Sequence, residues 1–94
     1  MKNQIRIAAA AVALVQAERA VDEAKEEYSF TLTNYFSKHG RPDGRMTADD
    51  PRFESARRAT EPRYQELQRL KRRFYRARQK LRLEVGRAGG GLCS

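Results

Sequence analysis

Between Ile7 and Tyr35 one series of residues recurs at alternating three- and four-residue steps: Ile7, Ala10, Leu14, Ala17, Val21, Ala24, Tyr28, Thr31 and Tyr35. That spacing keeps one side of an α-helix turned to a single partner for its whole length, which is the pattern of a coiled-coil seam. It predicts a first helix over about 3–38. Gly40, just after Lys38 and His39, is a helix-stop signal, and "GRPDGRMTADDP" supplies a turn in a loop over 39–49. Thr47, with Asp50 three residues on, has the spacing of a capping box for a second helix over about 50–87. In that helix the series resumes as Phe53, Ala56, Thr60, Arg63, Leu67, Leu70, Phe74, Ala77, Leu81 and Glu84, with only Arg63 and Glu84 breaking its apolar character.

Pro62 lies inside this second series. A proline in a helix interior removes a hydrogen bond and costs about 3 kcal/mol, so a kink is expected there, or a restart with Thr60 as N-cap. Beyond Val85 the run "GRAGGGLCS" is not expected to hold a helix, and 88–94 reads as a flexible glycine-rich tail after a single domain over 1–87.

Folding the chain back on itself pairs the two series. A register in which paired numbers total 91 sets Ala10 opposite Leu81, Leu14 opposite Ala77, Ala17 opposite Phe74, Ala24 opposite Leu67 and Tyr35 opposite Ala56. Large meets small in each of these layers, as close packing requires. The same register sets Tyr28 against Arg63 and Thr31 against Thr60, and brings Glu18 near Lys71. The expected fold is therefore all-α, an antiparallel two-helix hairpin of coiled-coil type. Seam tyrosines in such a fold are core residues before they are ligand contacts.

Two surfaces remain once the seam is assigned. Ile5, Ala8, Val12 and Val15 form a stripe on the outward side of the first helix, which suits self-association into a four-helix arrangement or docking on a partner. The second helix carries "RLKRRFYRARQKLR" from Arg69 to Arg82, with eight cations in fourteen residues and no acid. Arg69, Arg72, Arg76 and Arg82 are expected to point outward with Tyr75 among them, while Arg73 and Lys80 flank the seam. The charge is lopsided: 1–38 hold five Lys/Arg against five Asp/Glu, and 39–94 hold fifteen against seven, for a net charge of +8. Such an imbalance favours an anionic partner, and six of the eight cations in the run are arginines, whose guanidinium forks grip carboxylate and phosphate in a bidentate way.

Catalytic chemistry is missing. His39 is the single histidine and sits beside Gly40, Cys93 is the single cysteine and has no base near it, and "GRPDG" lacks the context of a phosphate-binding loop. Turn and capping roles account for Asp43, Asp49, Asp50 and Glu54 without a metal ion, so no cofactor or metal is expected and the chain is not read as an enzyme. One cysteine excludes an internal disulfide, and the simplest compartment is the cytoplasm. The alternative is a secreted or periplasmic protein in which 1–17 act as a signal peptide, since Lys2 and Arg6 precede nine apolar residues. The helical series, however, runs through the would-be cleavage point.

The leading expectation is a non-catalytic interaction protein, an adaptor or inhibitor. It would bind an acidic protein surface through Arg69, Arg72, Arg73, Tyr75, Arg76, Lys80 and Arg82, and associate through the Ile5, Ala8, Val12, Val15 stripe. The alternatives are a nucleic-acid-binding protein using the same run for backbone contacts, and a structural subunit of a larger assembly, either a homo-oligomer or a hetero-complex.

Overall fold

The structure is a computed structural model that describes the backbone of residues 2–93 and the side chains of residues 4–87. Two helices pack antiparallel over their whole length, α1 at Lys2–His39 and α2 at Glu54–Cys93, with a short 3-10 turn at Pro51–Phe53 leading into α2. The hairpin measures 58 Å along its long axis, close to the ~57 Å that 38 residues span at 1.5 Å each.

Both ends of the turn are secured by the backbone. Gly40 adopts φ +80°, and its N–H donates to the Phe36 carbonyl at 2.8 Å, which closes α1 in the left-handed cap that glycine accepts without strain. Lys38 and His39 sit in that last turn, where the helix dipole favours positive charge. On the far side of the loop the N-cap is Asp50, and not Thr47 as the sequence suggested. The Asp50 carboxylate accepts from the Arg52 backbone N–H at 3.0 Å, Pro51 fills the position where no N–H is needed, and the Thr47 carbonyl serves the turn by accepting from the Asp50 N–H. Phe53 follows, wholly buried, with Phe36 edge-on to it at 6.1 Å.

The restart foreseen at Pro62 does not occur: α2 passes through Pro62 as one helix. Thr60 is not a cap either. Its hydroxyl donates back to the Ala56 carbonyl at 2.8 Å, and Thr31 does the same to the Glu27 carbonyl at 2.8 Å. The Thr31–Thr60 layer therefore satisfies its hydroxyls within each helix and offers its methyl groups to the seam. Back-bonding threonine and proline both bend helices, and here they share one turn. At the other end α2 is helical to Cys93, past the expected stop at 87. The expectation that the run beyond Val85 cannot hold a helix is therefore corrected for residues 86–93, whose backbone continues α2.

The seam follows the expected register. Ala10, Ala17, Val21, Ala24, Ala56 and Leu67 are buried, and Val21, Ala24 and Leu67 form one cluster with Leu70 and Phe74 packed on it. Buried alanines beneath half-buried large partners are what layers of small against large produce. Two pairs depart by one position. Arg63 bonds Glu27 at 2.8 Å across the helices rather than facing Tyr28, and Tyr28 instead meets Tyr64 with ring centroids 5.9 Å apart. These pairs lie on either side of the Tyr28–Arg63 layer, so the register holds while the long side chains reach around it. No ion pair joins Glu18 to Lys71 among the described residues. Glu84, which breaks the seam series, is buried at 8 % exposure with Arg87 bonded at 3.4 Å, so α2 supplies the counter-charge itself.

Candidate functional site

All four residues of the expected stripe are exposed on α1: Ile5 at 69 %, Val12 at 56 %, Val15 at 51 %, and Ala8 with them. They belong to a larger feature. From Ile7 to Val15 every residue is apolar, so this stretch of α1 is hydrophobic around its whole circumference while α2 covers only one side of it. A helix apolar all round is normally enclosed on all sides. Here Ala8, Ala9, Val12, Ala13 and Val15 stand exposed.

The basic run lies against this same half. In the hairpin register residues 74–87 of α2 pack along residues 4–17 of α1, and those α1 residues contain one charge, Arg6, and no acid. The acids of α1 begin at Glu18 and end at Glu27, and therefore oppose the part of α2 nearer the turn. Arg76, Arg78, Lys80 and Arg82 thus have no carboxylate facing them across the hairpin. Arg72, Arg73, Arg76, Lys80 and Arg82 are all exposed, and none is in an ion pair among the described residues.

Two members of the expected basic face are already engaged. Arg69 donates to both oxygens of Glu66, at 3.0 and 2.6 Å, one turn back on its own helix. This pairing holds the Glu66 carboxyl below its ordinary range and raises Arg69 further, chiefly through the side-chain hydrogen bonds. Glu66 precedes the run, and reading the run alone hides it. Tyr75 is 54 % exposed as expected, but the Arg78 guanidinium lies 5.4 Å from its ring centroid and Phe74 meets its edge, so one face of the ring is already covered.

The turn end of the hairpin is differently built. A recess of about 430 Å³ opens between Tyr28, Tyr64, Thr60 and the loop residues Met46 and Ala48. Arg57 at its edge donates to the Thr47 and Asp50 carbonyls and so ties the loop to α2. The loop acids serve local structure too: Asp50 binds Arg52 in a bidentate pair, and Glu54 binds Arg58. Phe30, 68 % exposed, lies outside every series read from the sequence, and no periodic signal marks it.

No family model matches this chain, and no curated protein or solved structure matches it. No described helix is long and apolar enough to cross a membrane.

Proposed function

We propose that the chain is a non-catalytic interaction protein that binds an acidic protein partner with the open half of the hairpin, the half remote from the turn. The observation that carries this reading is the coincidence of two unsatisfied surfaces: an α1 segment apolar on all sides and an α2 segment whose cations face no acid across the hairpin. Apolar area supplies affinity and unpaired arginines supply the sign of the partner.

Self-association through the stripe alone suits the structure less well. Ile5 to Val15 covers about 15 Å of helix, roughly 10 Å wide. A stable interface needs about 800 Å² per partner. A partner that also reaches the α2 cations makes up the difference. Nucleic acid would use those cations and leave the apolar half of α1 uncovered.

Purification without nuclease, followed by the ratio of absorbance at 260 and 280 nm, separates the two anionic partners. Protein free of nucleic acid that retains an acidic partner, and loses it when Arg76 and Arg82 are both changed to Glu, supports the reading. Co-purifying nucleic acid released steeply by salt refutes it.

A further inference from the structure

The unpaired cations are not spread evenly around the apolar segment. On one side of the open half, two cavities of about 230 and 190 Å³ run end to end between the helices, joined at Ala13 and Ala77. Their α1 wall is Arg6, Ala9, Ala13, Gln16 and Ala20, at three- and four-residue steps, beside the first-seam residues Ala10 and Ala17, so the groove runs along one edge of that seam. Their α2 wall is Ala77 between Arg73 and Lys80, two exposed cations one heptad apart, with Glu84, which Arg87 bonds at 3.4 Å, closing the far end. Together they form an interhelical groove with alanines along its floor, Arg6 and Gln16 on its α1 edge, and a rim on the α2 side that is cationic at Arg73 and Lys80 and holds the Arg87-bonded Glu84 at its end.

We infer that this groove receives a single amphipathic α-helix of another protein, lying along α1 with carboxylates on the flank that meets Arg73 and Lys80. The hairpin then becomes two parts of a three-helix bundle. This rests on the proposed function and narrows it to one mode of contact. A floor that repeats every heptad matches another helix, and alanine there permits close approach of the backbones. Alanines alone would leave the partner's chemistry open; the rim decides it. Charges flanking a helical seam choose the partner, and Arg73 and Lys80 choose acid. Phosphate gains nothing from an alanine floor, and a planar lipid surface does not enter a groove between two helices.

The full-length protein is titrated with a fluorescein-labelled synthetic helix of about three heptads, carrying Ala and Leu at its seam positions and Glu beside them, and with a twin carrying Lys for Glu. Fluorescence anisotropy should show the Glu peptide binding at least about tenfold more tightly than its twin, and Arg73→Glu with Lys80→Glu should reverse that order. Ala13→Trp fills the groove outside the main seam and should weaken the Glu peptide by about tenfold or more at unchanged helicity. Ala9→Glu, which repels the same peptide without added bulk, gives the same reading if the tryptophan variant unfolds.

Equal binding of the two peptides, binding of neither, or binding unaffected by both groove variants overturns the inference. Displacement of the peptide by oligothymidylate or by anionic phospholipid vesicles does so as well. A wild type that sediments at twice the 10.8 kDa chain mass, and falls to monomer with Arg73→Glu and Lys80→Glu, would assign the groove to a second copy instead. If groove variants leave acidic-partner binding intact while Arg76→Glu and Arg82→Glu together abolish it, only the groove falls. If the Arg76→Glu, Arg82→Glu variant also binds normally, the broader function falls with it.

Discussion

Phe53 has no exposed surface, and it plugs the point where loop, α1 and α2 meet. Phe53→Ala should therefore destabilise the hairpin by about 3–5 kcal/mol, read from urea unfolding by circular dichroism. Thr60→Val tests the opposite case. The Thr60 hydroxyl bonds only to carbonyls of its own helix, which the helix ladder already serves, so the valine variant loses at most the net worth of one hydrogen bond, about 0.5–1.5 kcal/mol. At the cap, Arg52 holds the Asp50 carboxyl below its ordinary value, first through the side-chain hydrogen bonds and then through the backbone one. A carboxyl lowered on folding stabilises the folded state above its unfolded pKa and loses that contribution as pH falls through the folded value. Thermal melts should thus show a loss of stability in the acid range, below about pH 4, that is smaller in Asp50→Asn. Asp50 and Thr47 both suit a cap in sequence. The tie was broken by Pro51, which fits the first helical position only if Asp50 precedes it.

At the scale of elements, the two helices differ in what they leave unfinished. α2 is divided into an apolar seam and a charged exterior, whereas residues 7–15 of α1 have no polar side to give to water. Pro62 is the feature of α2 that works against it, being exposed, inside the helix, and without an N–H for the Arg58 carbonyl. Pro62→Ala should raise the unfolding free energy, by up to about 3 kcal/mol, measured by the same denaturant titration. No rise would mean that the bend supplied at Thr60 and Pro62 is needed for the seam to follow α1. Sequence alone favoured a restart here because propensity treats proline as a boundary. What keeps the helix intact is the packing of Thr60 and Leu67 on either side, both buried against α1.

For the whole molecule, register and surface can be tested separately. With Cys93→Ser, the pair Ala17→Cys and Phe74→Cys should cross-link within one chain, because facing seam positions lie within disulfide reach; efficient linkage of position 17 to 67 or 81 instead would contradict the register. Val12→Glu with Val15→Glu should leave helicity unchanged, since both side chains are at least half exposed, while abolishing any association that uses the stripe. Sedimentation and circular dichroism on the same sample check both halves of that expectation.

Periodicity within each helix, and the alternation of alanine with large residues, sufficed to derive the hairpin, its direction and its register, because they depend only on which residues share a face and how their volumes add. The stripe and the basic run were legible for the same reason. Which cations are free was not. Glu66 takes Arg69 and Tyr75 takes Arg78 through rotamers that spacing does not specify, while Arg73 and Lys80 become the rim of a groove only when α1 lies beside them. The coincidence of the acid-free half of α1 with the cations of α2 joins residues some seventy positions apart, and only the fold back at Gly40 brings them onto one surface.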